Sequence, residues 1–263
     1  MKRTKLLALI HLIVLIALIA WNYYSNTGII RGNTVGSVSD QYDNLFTPAG
    51  YTFAIWGLIY LALLYLAGYY LYCAFSKKEE DKFILKSAPW LILAHLFNGA
   101  WLWFWLHEQT GISVLVIFGI LAFLMIAVIN LNMERWDAPV KHMAGVWWPI
   151  DLYAGWIAVA AIANVAAHLS AVGWISEGSE ISWTVGMIVF AALLNLFMIF
   201  SRNMREFAAV GVWAFIGIAV RHWGEIPEIQ WTATCSAFIL FITIGLHAYK
   251  NRATLPFIKL RNQ

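Results

Sequence analysis

Charge is what this chain has least of. Only 12% of its 263 residues are Asp, Glu, Lys or Arg, against 62% hydrophobic residues, and that charged share is about half the usual value for a soluble domain. The charges sit in short clusters between long uncharged runs, which excludes an ordinary water-soluble globule. Cysteine is nearly absent too. Cys73 and Cys235 lie near the ends of two apolar runs far apart in sequence, without CxxC spacing or a histidine partner, so both read as packing residues. There is no Walker loop, no GxSxG elbow, no HExxH pair, and no lysine inside an apolar run that would carry a retinal Schiff base. The signatures of soluble-enzyme chemistry are missing, and no catalytic residue and no metal ligand set is assigned.

What is present is apolar length. Runs of about 17 to 25 residues read as membrane spans, and they fall near residues 5–24, 51–75, 88–107, 111–132, 145–169, 182–200, 206–222 and 231–249. The expected fold is an all-α polytopic membrane helix bundle of about eight transmembrane helices. The first run follows a basic stretch, as a secretory signal does, but Leu18 at the −3 position before Ala20 and Trp21 directly after it disfavour cleavage. It is read as an uncleaved span. Of the 17 basic residues, an N-terminus in the cytoplasm places all but Arg31 and Arg221 inside, the distribution that the positive-inside rule demands. Both termini are therefore expected to be cytoplasmic. The net charge of +3 describes loops that face an anionic inner leaflet, and no nucleic-acid partner is implied.

One apolar run carries a pattern beyond hydrophobicity. Tyr153, Trp156, Ala160 and Asn164 fall within roughly 80° of arc on a helix that turns about 100° per residue, and this stripe of aromatic, small and amide groups reads as a pocket wall. Trp56 with Tyr60 at i, i+4 and Asn98 with Trp101 at i, i+3 are companion pairs on two other runs. Asn98 and Asn164 suit either a ligand's polar edge or a bond between helices. His11 and His95 sit at similar depth and read either as structural histidines or as axial haem ligands. The segment from Ser25 to Gly50, rich in glycine and serine, is too long for a simple connection. It is either a lid over the outer mouth of the bundle or a solvated linker.

Tryptophan is abundant, at 15 residues. Trp21, Trp90, Trp105, Trp136, Trp147, Trp148, Trp174, Trp183, Trp223 and Trp231 lie near span ends, where interfacial belts place indoles. Trp56, Trp101, Trp103, Trp156 and Trp213 lie deeper. Of these, Trp103 points away from Trp101 and is expected to face lipid or a neighbouring helix.

Together the motifs Trp56-Gly57-Leu58-Ile59-Tyr60, Asn98-Gly99-Ala100-Trp101 and Tyr153-x-x-Trp156-x-x-x-Ala160-x-x-x-Asn164 resemble the signatures of the TspO/MBR family, the tryptophan-rich sensory or translocator proteins. They occur in the family's order, and the resemblance covers residues 5 to 169. It implies a five-helix bundle that binds porphyrins and other flat hydrophobic ligands, with Trp56, Tyr60, Asn98, Trp101, Tyr153, Trp156, Ala160 and Asn164 lining or supporting the cavity and a possible homodimer. The expected division is a five-helix unit over 1–169, with residues 25–50 as its lid, followed by a three-helix membrane segment over 170–263 that ordinary members lack. The sterol-recognition pattern is missing after Asn164.

The function expected from this pattern is binding, as sensor, receptor or carrier, of a flat hydrophobic molecule such as a tetrapyrrole, with porphyrin or haem as ligand and no resident cofactor. A porphyrin-degrading membrane enzyme and a proton-coupled transporter remain the alternatives. Asp151 is the one acidic residue well inside a run, and a carboxyl at that depth is a functional candidate by default. Its two-residue offset from Tyr153 turns it roughly 160° from the stripe. It is expected either to dock the last three helices through Asn195, Arg202 or Arg205, or to stand as a protonated or water-reached carboxyl near the interface.

Overall fold

Long uncharged runs in an apolar solvent must satisfy every backbone donor and acceptor internally, and the helix is the local way to do so. The computed structural model, which describes residues 3–42, 44–76, 81–176 and 178–252, follows that rule. In chain order its helices are α1 (Arg3–Tyr24), α2 (Val35–Gln41), α3 (Ile55–Phe75), α4 (Lys82–Leu106), α5 (Thr110–Asn130), the single turn α6 (Val140–His142), α7 (Trp148–Ala171), α8 (Glu180–Arg202), α9 (Arg205–Arg221) and α10 (Pro227–Lys250). The chain is a polytopic helical membrane bundle, and its eight long helices coincide with the eight expected runs.

Among the described residues, six stretches are long and apolar enough to cross a membrane unaided: Arg3–Ile29, Gly50–Phe75, Thr110–Asn130, Val140–Ala171, Glu180–Arg202 and Pro227–Lys250. The other two long helices fall short for separate reasons. Helix α4 has 25 residues but carries Pro89, His95, Asn98 and four tryptophans, and α9 has only 17 residues, with Arg205 and Arg221 at its ends. Both are packed between neighbours, α4 against α1 and α5, and α9 against α7, α8 and α10. Their hydrogen-bonding and small side chains meet protein there.

Two hydrophobic cores share α7. The larger gathers α1, α3, α4, α5 and one face of α7, with Leu63, Leu66, Leu91, Leu102 and Ile120 fully buried. The smaller gathers α8, α9 and α10 around Ile188, Phe215, Ile218 and Leu240, with Val159 and Ala166 supplied by the other face of α7. Helix α7 is accordingly the most enclosed span, with 72% of its most apolar window buried. Its approach to α9 is set by Gly155, where an added Cβ would stand 2.7 Å from the Phe207 carbonyl oxygen. Small residues at such a crossing let two backbones come together and gain dispersion contact that lipid would otherwise supply.

The segment after α1 is folded. A π-turn over Ser25–Ile29 is kinked at Gly28, where φ is +81°, a conformation that glycine adopts without strain. Thr34 and Ser37 then form a reciprocal capping box that starts α2. A 3₁₀ turn over Gly50–Ala54 leads into α3.

The bundle has a basic end. Thr4 donates to Asp81 (2.7 Å), Arg135 donates to the Ser201 carbonyl (3.0 Å) and Asn203 donates to the Glu134 carbonyl (2.6 Å), so the start of α1, the start of α4 and the turns after α5 and α8 lie together. Arg31 and Arg221 lie at the other end, donating to the His107 and Thr47 carbonyls. Lys2, Lys77, Lys78, Lys259 and Arg261 lie outside the described residues.

Candidate ligand cavity

At the end opposite the basic cluster, a narrow cleft with about 50 Å³ of free room opens between α3, α4, α5, α7 and the folded segment 25–54. Five of the eight expected site residues line it: Trp56, Trp101, Trp156, Ala160 and Asn164. The other three lie one layer deeper. Tyr153 is fully buried and accepts from the Asn98 amide at 2.9 Å, and its ring meets Trp56 edge-on at 6.1 Å. Tyr60 stacks beneath Trp56 at 5.3 Å. Tyr153, fixed by Asn98, and Tyr60 thus hold the Trp56 indole from below, while the upper turns of the same α7 stripe line the cleft.

The walls are aromatic. Trp56 and Phe53 each meet Trp156 edge-on, at 6.4 and 5.9 Å, and Trp101 stacks on Trp105 at 5.7 Å with an interplanar angle of 16°. Such pairings satisfy the ring quadrupoles and fix the indoles in place. The amide of Asn164 is spent on structure: its oxygen accepts from the Trp101 indole (2.8 Å) and its nitrogen donates to Ser113 (2.9 Å). Of the two readings of this residue, the geometry favours a tie between α4, α5 and α7. Among the described residues lining the cleft none carries a charge, and Ser39 supplies a hydroxyl. The described walls are thus apolar and aromatic.

Sequence reasoning missed two parts of this site. Trp105 sits near a span end and was assigned to the belt, but it is 4% exposed, lines the cleft and donates to the Val35 carbonyl at 3.2 Å. Its environment comes from α2 folding over it, a contact that no local pattern encodes. The second is the identity of the roof residues: within the segment expected as a possible lid Val35, Ser39 and Pro48, and just beyond it Phe53, complete the wall. The segment is strapped at both ends. On the α4 side, Glu108 accepts from Asn33 (3.0 Å) and Gln41 (3.1 Å), and these bonds, Asn33 first, hold its carboxyl below the usual range against a small opposing effect of burial. On the other side, Trp213 donates to the Thr52 carbonyl (3.0 Å), His222 donates to Leu45 (2.8 Å) and Ala49 donates to Gly217 (3.0 Å). All three of these partners belong to α9 or the turn after it.

The remaining expectations divide. His11 and His95 face each other with their Nε2 atoms 3.3 Å apart and neither lines the cleft, so the pair reads as structural. Trp103 is 48% exposed and stacks on Trp21 at the surface of the bundle. Among the three docking partners expected for Asp151, Arg205 is the one whose charge reaches it. Asn195 turns back to the Ala191 carbonyl of its own helix (2.8 Å), and Arg202 lies beside Arg135.

A helical bundle whose buried indoles wall a cleft beneath a strapped loop defines a polytopic membrane protein of the tryptophan-rich kind. The family comparison agrees: a family described as TSPO-like protein matches residues 8–246, and the chain belongs to it. The match includes residues on both sides of the expected boundary at 169. No curated protein and no solved structure matches the chain.

Proposed function

We propose that the chain is an integral membrane binding protein, acting as sensor, receptor or carrier, for a flat hydrophobic ligand of the tetrapyrrole class, and that its basic end, with both termini, faces the cytoplasm. The observation that carries the reading is the uncharged cleft between Trp56, Trp101, Trp105 and Trp156, roofed by a strap that must move for a ligand to enter. With the strap closed the cleft holds only about 50 Å³ of free room, so the strap and the indoles must shift to admit a ligand, and its apolar walls with few polar groups are typical of small-molecule sites. The ring faces of the stacked Trp101 and Trp105 pair and the edges of Trp156 suit a planar π system. Orientation rests on the gathering of the basic residues at one end.

The test is a titration of purified protein in detergent with a panel of protoporphyrin, haem and linear tetrapyrroles, read by quenching of tryptophan fluorescence. Saturable quenching that is lost in Trp156→Leu supports the reading. Quenching that is unsaturable, or equal in wild type and Trp156→Leu, overturns it. Following the bound porphyrin's absorbance in the dark and in light separates a binding protein from a degrading enzyme.

A further inference from the structure

At the basic end of the bundle, three acidic side chains from three elements converge. Glu134 stands in the turn after α5, Asp151 in the first turn of α7 and Glu206 in the first turn of α9. One carboxylate oxygen from each lies within 4.8 Å of the others. Asp151 is fully buried and Glu134 is 7% exposed. Both oxygens of Asp151 and one of Glu206 have no hydrogen-bond donor among the described residues. Arg205, itself only 9% exposed, is the one cation among the described residues whose field reaches Asp151. Asp151 and Glu206 beside one guanidinium leave an excess of negative charge in a place where water does not screen it, and buried charge without a partner is strongly unfavourable.

Two further features point to what balances it. A polar cleft at the same end, lined by Glu134, Arg205, Trp147, Asn203, His247 and Asn251, provides access and room for coordinated water. Trp147, 1% exposed in the wall of that cleft, has no acceptor for its indole N–H among the described residues, and a metal-bound water supplies one. The donor set consists of carboxylate oxygens alone, which selects hard cations. Ligands on opposite sides of a Ca²⁺ ion stand about 4.6 to 5.2 Å apart, twice the Ca–O bond length, whereas opposite ligands of Mg²⁺ need about 4.0 to 4.2 Å. Oxygens that all lie within 4.8 Å of one another fit inside the first shell of the larger ion.

We propose that Glu134, Asp151 and Glu206 form a binding site for a hard divalent cation of the calcium size class, completed by water from the adjoining cleft. The cation joins the first turn of α9 to α7 and to the turn after α5, and thereby ties together the two cores.

The experiment uses the full chain in detergent after treatment with EDTA. Mn²⁺ serves as the spectroscopic probe, its binding read by loss of the free-ion EPR signal, and Ca²⁺ as the competitor and as the additive in thermal unfolding. Expected are saturable Mn²⁺ binding that Ca²⁺ displaces, a Tm raised by Ca²⁺ as mass action requires, and an affinity lowered at least about tenfold by Asp151→Asn and by Glu206→Gln, since affinity follows the ligand charge count. Tetrapyrrole quenching stays unchanged in both variants, which keeps this outcome separate from that of the ligand cavity. If Asp151→Asn does not fold, Glu206→Gln on the partly exposed side decides. A wild-type protein that binds no Mn²⁺ at millimolar concentration and shows no Ca²⁺ shift overturns the proposal, as do variants with wild-type affinity. In the first case, a higher Tm for metal-free Asp151→Asn identifies protons as what neutralises the cluster.

Discussion

The indole N–H of Trp213 on α9 donates to the carbonyl of Thr52 at 3.0 Å, joining residues separated by 161 positions. Through this bond and its neighbours at Ala49 and Leu45, the last three helices hold the inner end of the strap that roofs the cleft. Trp213→Phe keeps the ring and removes the donor. A hydrogen bond of this kind contributes about 1 kcal/mol, so amide exchange at residues 49–54 should accelerate roughly fivefold while exchange in α5 stays unchanged. Equal protection in both proteins would show that the bond does not hold the strap.

The cleft makes a contrast between two tryptophans. Trp156 is 2% exposed and faces the cleft, whereas Trp174 is 64% exposed near the end of α7. Loss of an aromatic contact amounts to about 1 kcal/mol, so Trp156→Leu should weaken tetrapyrrole binding about fivefold or more. Trp174→Leu should leave it unchanged in the same quenching titration.

The crossing of α7 and α9 leaves no room for a methyl group. Gly155→Ala should force the helices apart and lower stability by about 1 to 3 kcal/mol, the usual cost of overpacking. Thermal unfolding in detergent reads this directly. Gly186→Ala, at a helical position with open space around it, is the control and should change little.

Glu108 makes the outer tether pH-dependent. Its carboxyl is held below the usual range by Asn33 and Gln41, so the ionised form favours the strapped state. That contribution is fully present above the ordinary carboxyl value of 4.5 and is lost as pH falls below it. Exchange at residues 33–42 should rise as pH drops from 6 to below about 4, after correction for intrinsic rates, and Glu108→Gln should show the raised exchange at both pH values.

Orientation is open to chemical labelling. In a background lacking Cys73 and Cys235, cysteines at Ser37 and Ser179, both at the end with Arg31 and Arg221, should react with an impermeant thiol reagent added to intact cells. A cysteine at Ser76, at the basic end, should react only after lysis. Labelling at Ser76 in intact cells would reverse the proposed topology.

How much of this was legible beforehand depends on the range of the signal. The eight helices were readable because apolar length is written in consecutive residues, and the α7 stripe because helical periodicity brings Trp156, Ala160 and Asn164 onto one face. The stripe does not reveal where the cavity ends. Tyr153 repeats at the same angle, but it lies one turn lower, where Asn98 and Trp56 fill the space. Trp105 was misplaced because nearness to a span end signals a belt only when nothing folds over it. The tethers at Glu108 and Trp213 and the meeting of Glu134 with Asp151 and Glu206 join distant parts of the chain, so no local spacing announces them. Asp151 was conspicuous as a buried acid, and its angle correctly took it off the stripe. The other two acids sit at helix boundaries, where charge is unremarkable.

The strap's two tethers stand in different surroundings. Glu108 stands in the turn after α4, beyond the ends of the spans, whereas Trp213 sits within α9, packed between α7, α8 and α10. The strap is therefore under two separate controls: loss of the Glu108 charge releases one edge, and a shift of α9 against its neighbours releases the other.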